Sequence, residues 1–204
     1  MFQTLVKAFK IKDVRRKIFI TLALLLVYRI GCFIPVPGIG TGLLTDENLE
    51  SFTYLQIMSA VSGGALQYGT LFAMGIGPYI NASIIIQLLT VGIPALERLS
   101  KQGEEGRKKI ATITRYVTVL LAIAQSVGIV IGFSGNIEWN NLFGENLKWL
   151  GYIALVIIYT AGASLTMWLG ERITDYGVSN GISMLIFVGI ICTAGQAILG
   201  ILTG

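Results

Sequence analysis

Long apolar runs separated by short charged stretches dominate the chain. Five of them approach the roughly 20 residues that a helix needs to cross a bilayer. They run from about Ile18 to Phe33, Leu71 to Ile93, Ile110 to Phe133, Leu147 to Leu169 and Ile182 to Leu202. The runs are continuous, where barrel strands would alternate, and they are too long for such strands. The pattern predicts an all-α membrane protein with five transmembrane helices. Residues 1–17 form a basic, amphipathic segment ahead of the first span. Arg29, Ile30 and IPVPG follow that span without a small-residue cleavage site, so it reads as an anchor and not as a cleaved signal.

A sixth segment, Thr53 to Tyr68 (TYLQIMSAVSGGALQY), is moderately apolar, too short to span and broken at Gly63-Gly64. One reading is an interfacial helix on the outer surface. The other is a half-helix that dips into the protein and stops a pore. Irregular backbone at membrane depth is tolerated only inside protein or beside water. The second span opens with Gly75-Ile76-Gly77-Pro78, a bend or break signal. Interrupted helices point to conducting or binding sites in membrane proteins. Ile76 and Ile80 share a helical face that Ser83 and Gln87 continue, with Asn81 about 100° round. Asn81 and Gln87 need another helix or water; ordinary inter-helix hydrogen bonding suffices to explain them.

Basic residues set the orientation. Lys7, Lys10, Lys12, Arg15, Arg16 and Lys17 precede the first span, and Arg98, Lys101, Arg107, Lys108, Lys109 and Arg115 follow the second. Residues 31–70 hold no Lys or Arg. The N-terminus and the second loop are therefore expected on the cytoplasmic side, and the C-terminus outside. Cytoplasmic loops are expected at about 94–109 and 170–181. Arg29 lies inside the first apolar run, near its outer end. It either snorkels outward or faces inward near a pore mouth.

Composition narrows the chemistry. Of 204 residues, 54% are hydrophobic and 13% charged, about half the charged share of a soluble domain, with mean hydropathy +0.75. There is no histidine, hence no serine–histidine device. No acidic residue falls within a span, which argues against proton relays and intramembrane aspartyl or metal proteases. Cys32 and Cys192 stand alone in apolar runs and read as small core residues. The loop ERLSKQGEEGRKK is either a solvated connection or a docking surface for a large partner through Arg107, Lys108 and Lys109. Trp168 suits an interfacial belt. Gly177 and Gly181 suit tight turns, and Ser179 or Asn180 a helix cap. Gly128 and Gly132 form a GxxxG close-packing pattern.

Several motifs occur together: RIGCFIPVPGI (29–39), SGGAL (62–66), LFAMGIGPYINASIIIQLLT (71–90), KQGEEGRKKIATITRY (101–116) and LTMWLGERITDYGVSNGISMLIF (165–187). With these the chain resembles the N-terminal half of the SecY family of protein-translocase channels. The family has about ten spans in two inverted halves, and this chain holds five. It therefore reads as a fragment or one piece of a split protein.

The resemblance implies a protein-conducting channel subunit in the bacterial cytoplasmic membrane, with no enzyme activity, no cofactor and no metal. It places an apolar pore ring at Ile76, Ile80, Ile182 and Ile186, and a plug at residues 53–68 that includes Ser62, Gly63, Gly64, Ala65 and Leu66. One wall of a lateral gate carries Asn81, Ser83 and Gln87. Implied partners are SecE and SecG, the SecA motor ATPase or the ribosome, secretory and membrane-protein precursors, the absent C-terminal half of the channel, and lipid. A solute transporter would need convergent polar groups where these isoleucines fall. An insertase would need a hydrophilic groove that the spans do not supply.

Overall fold

The computed structural model describes residues 11–39, 53–136, 148–178 and 180–203. Residues 1–10, Asp46, Glu47, Glu50, Glu138, Glu145 and Ser179 lie outside the described residues.

The described chain is helical, in the order α1 (Lys12–Gly31), α2 (Thr53–Ser62), α3 (Gly77–Gly92), α4 (Pro94–Ser100), α5 (Glu104–Gly132), α6 (Lys148–Tyr176) and α7 (Gly181–Thr203). A short 3₁₀ turn, Ser134–Asn136, follows α5. Helix α6 is central and packs against α1, α5 and α7; α3 lies on α5, and α2 lies on α7. Inside the bundle, the buried hydroxyls of Thr114, Thr118, Ser126 and Thr166 donate to carbonyls one turn back, at 2.6–2.9 Å. Such bonds let hydroxyls sit in an apolar interior without an orphaned donor.

Among the described residues two helices, α5 and α6, are long and apolar enough alone to cross a bilayer; α3 with α4, bent by 105°, raises the number to as many as three. Helix α1 has the length but carries Arg15, Arg16, Lys17 and Arg29, and the apolar stretch Gly181–Gly195 of α7 is shorter. The bend follows from Pro94. It has no N–H to donate and pushes Ile93 into an extended conformation (φ −110°, ψ 113°).

Helix ends differ from the hydropathy reading. Helix α1 begins at Lys12 and takes in Lys12, Arg15, Arg16 and Lys17 of the segment assigned before it, while Lys7 and Lys10 lie outside the described residues. Helix α5 begins at Glu104, so Arg107, Lys108 and Lys109 belong to its first turns and not to a loop. Glu104 and Glu105 suit the positive end of that helix. Helix α6 runs on to Tyr176, which confines the last connection to residues 177–180. Asn180 caps α7 by accepting from the Ile182 N–H at 3.1 Å. Among the described residues nothing lies within 4 Å of where a Cβ on Gly128 or Gly132 would sit, and both glycines are exposed, so the GxxxG face packs against no described helix.

Candidate pore and plug

Helix α2 stops where the glycines predict. The Gly64 N–H bonds to the Ser59 carbonyl at 2.9 Å and the Gly63 N–H to Ala60 at 3.2 Å. This is a Schellman termination, with Gly63 at φ +69° and Gly64 at φ +85°. Both values lie in the left-handed region, where a Cβ is costly. The Ser62 hydroxyl secures the turn by donating to the Ser59 carbonyl at 3.0 Å and accepting from the Leu66 N–H at 3.3 Å.

Residues 63–76 then run as consecutive turns, not as the start of a span, and the second long helix begins at Gly77. Gly75, at φ +53°, precludes an α-helix there, and Pro78 starts the new one from its first turn. This irregular stretch is inside protein: Ala65, Leu66, Ala73 and Met74 are 1% exposed. Its backbone is tied down by an isolated bridge between Pro35 and Thr70, by the Leu71 N–H on the Ile34 carbonyl (2.9 Å), and by the Tyr159 hydroxyl on the Gly69 carbonyl (3.4 Å). Phe72 stacks on Tyr28, ring centroids 5.7 Å apart, and its ring fills the space that a Cβ on Gly31 would take.

The four isoleucines belong to one apolar cluster. Ile76 is buried in a cluster with Leu25, Tyr28, Ala65, Phe72, Leu169, Ile173 and Leu185, and Ile80, Ile182 and Ile186 pack half-buried against it. The Cβ position of Gly170 on α6 lies 3.3 Å from Ile182 and 3.5 Å from Ile76, so the residue that precedes α3 and the first turn of α7 both come up against this glycine. Ala65, of the turn after α2, is in the same cluster, and Val61 packs against it.

The polar residues of α3 separate. Ser83 and Gln87 hydrogen-bond at 3.3 Å and line a cavity of about 460 Å³ with Tyr79, Thr90, Arg107 and Thr114. That cavity lies against α4 and α5. Asn81 does not line it and makes no hydrogen bond among the described residues. Lys108 and Lys109 are exposed and stay out of the cavity. At that end of the bundle Arg115 Nε meets Glu171 Oε1 at 2.7 Å and joins α5 to α6. Arg172 lies over the rings of Trp168 (5.3 Å) and Tyr176 (5.6 Å).

Two residues that sequence reasoning passed over complete the seat of α2. Gly189 on α7 lets the Val61 carbonyl approach so closely that a Cβ would collide with it. Thr193, one turn on, donates to the Ala60 carbonyl at 3.2 Å. The available signal was an isolated glycine inside an apolar helix, which marks close backbone approach.

A family model described as SecY matches residues 70–203, more than half of the chain. The chain belongs to the SecY family. The protein translocase subunit SecY of Lactococcus lactis subsp. lactis is 43% identical over 198 residues, which is 97% of this chain and 44% of that protein. Its counterpart in Staphylococcus carnosus is 42% identical over 200 residues, 98% of this chain and 46% of that protein. The chain thus spans less than half the length of these curated SecY relatives. The solved structure of a protein conducting channel shares the fold, with TM-score 0.63 and 24% identity over 87% of this chain and 36% of that one. So does Sec61 in the canine ribosome–channel complex from the endoplasmic reticulum, with TM-score 0.62 and 23% identity over 87% of this chain and 36% of that one.

Proposed function

We propose that the chain contributes the N-terminal, five-span part of a protein-conducting channel in a bacterial cytoplasmic membrane, with its N-terminus on the cytoplasmic side. It supplies half of an apolar pore ring (Ile76, Ile80, Ile182, Ile186), the plug (α2 and the turn through Leu66) and one wall of a lateral gate. It transports polypeptide and catalyses no reaction. The observation that carries this reading is that Ile76, just ahead of α3, and Ile182 of α7 both reach Gly170, in a cluster that also holds Ala65 of the turn after α2. Branched apolar side chains at a constriction exclude water and ions by dewetting, yet part for a passing chain. The rest of the ring, the facing gate wall, SecE, SecG and the SecA motor or ribosome complete the machine in this reading.

A photo-crosslinker at Ile80 tests it, with the chain assembled with the remaining part of the channel. A stalled secretory chain bearing its signal sequence is expected to crosslink at Ile80. The same chain without a signal, or a crosslinker at Leu120 on the exposed face of α5, is expected to give no adduct. Absence of an adduct at Ile80 in an assembled, substrate-engaged complex would remove Ile80 from the conducting path.

The gate wall makes a separate prediction. Polar groups in a lateral seam weaken its closure, so an apolar signal helix competes for it. Ser83 and Gln87 hydrogen-bond to each other and face α5, whereas Asn81 makes no hydrogen bond among the described residues. Asn81→Leu is expected to tighten signal-sequence stringency several-fold in an export assay, and Gln87→Leu to change it less. The reverse order would move the gate wall to the Ser83–Gln87 face.

A further inference from the structure

Arg29 is half-buried, with one side turned into the protein. Its guanidinium turns inward, 5.6 Å over the Phe33 ring, and Nη1 is buried without a hydrogen-bond partner. Arg29 forms no ion pair among the described residues. A cation in an apolar setting needs compensation. What lies against it is the end of α2: a Cβ added to Gly63 would collide with Nη1 and would lie 3.3 Å from the Gly189 Cα. The carboxyl end of a helix carries about half a negative charge on its unpaired carbonyls, and a cation there is favourable. Cys32, three residues on, directs its thiol at the Ser62 carbonyl at 3.9 Å. Thr193 holds Ala60 from the α7 side. The last turn of α2 is therefore gripped from α1 and from α7 by groups that address its backbone, not its side chains.

We propose that Arg29 is the positioning residue of the plug. Its charge, set against the carboxyl end of α2 and fitted into the space that Gly63 leaves, holds that turn in its seat on Gly189. Withdrawal of α2 exposes the guanidinium to the pore. The seated state is favoured by the helix-end interaction, and the open state by water reaching the cation. Only glycine serves at 63, because it meets two demands at once: a left-handed φ, and room for the guanidinium. This inference rests on the reading of α2 as a plug.

The test uses the chain assembled with the remaining part of the channel in proteoliposomes, in a Cys192→Ala background carrying Ser59→Cys on the buried side of α2, with the same background lacking Ser59→Cys as the blank for any labelling of Cys32. Two quantities are read in the resting complex: labelling of the introduced thiol by a membrane-impermeant maleimide, and ion conductance. Arg29→Met is expected to speed labelling about tenfold, the scale of a partly buried helix-end charge, and Arg29→Lys to restore the rate to within about twofold. Labelling unchanged by Arg29→Met overturns the proposal. Equal acceleration by Arg29→Met and Arg29→Lys also overturns it, since shape and not charge would then hold the turn. If Arg29→Met does not assemble, Arg29→Gln carries the same comparison. Conductance separates the two readings. If labelling follows charge while conductance stays flat, Arg29 holds α2 but α2 is no seal, and it is the plug reading that falls.

Discussion

Replacing Gly162 with alanine is expected to destabilise the chain by about 3 kcal/mol, the upper end for forced overpacking, and replacing it with leucine to prevent accumulation. Gly162 is buried on α6, and its Cβ would stand where the Leu71 carbonyl now sits. Nothing there can yield cheaply. The obstacle is backbone, and the peptide just before it is fixed by the Leu71 N–H on the Ile34 carbonyl and by the Pro35–Thr70 bridge. On the other side Phe72 is held between Tyr28 and Gly31. The damage would pass directly to the turns that bear Ala65 and Ile76. Gly128→Ala on α5 is the matched control, because open space surrounds its Cβ position. Alanine there gains helix propensity of up to about 1 kcal/mol. Denaturant unfolding in detergent, with membrane yield as a second readout, compares the two. Equal stability of the two variants would mean that the 63–76 turns do not rest on α6 as described.

The helices were legible where their apolar period was long, and their ends were not. Hydropathy detects the part of a helix at bilayer depth, while α1, α5 and α6 continue into charged sequence for another one or two turns. Lys, Arg and Glu propagate a helix well and prefer its polar ends, so nothing in the charge pattern marks the boundary. The start of the second span failed for a different reason. Leu71 to Met74 are as apolar as any span, yet they are turns, with Phe72, Ala73 and Met74 buried by tertiary packing. Hydropathy reports burial, not whether the buried backbone is helical. The break at Gly63-Gly64 could be read because left-handed φ values leave a glycine signature. The convergence of Ile76 with Ile182 had no local signal; it came from family resemblance, since the two positions are over a hundred residues apart. Gly128 and Gly132 show the converse error. A motif for close packing marks a capacity, and no neighbour among the described residues uses it.

Burial divides the isoleucines of the proposed ring, and the division predicts two distinct phenotypes. Ile76 is 3% exposed, enclosed by Leu169, Ile173 and Leu185, whereas Ile80, Ile182 and Ile186 are only half covered. A polar side chain at 76 would enter the core. Ile76→Asn loses a packed side chain and strands an amide without water, a combined cost of about 3 kcal/mol or more. Its expected effect is low accumulation of the assembled channel, with little to learn from conductance. Ile80 and Ile186 have a free side, so serine there loses less packing and instead admits water to the constriction. The double change Ile80→Ser, Ile186→Ser is expected to assemble near normally and to raise resting ion conductance on the order of tenfold, because a dewetted gate depends on unbroken apolar lining. Planar-bilayer recording alongside quantified assembly separates the two effects. If the double variant stays tight while well assembled, the half-covered faces of Ile80 and Ile186 belong to a helix contact, and the apolar seal lies elsewhere. If Ile76→Asn assembles normally and leaks, Ile76 lines the path and its enclosure by α6 and α7 is a feature of the closed seat alone.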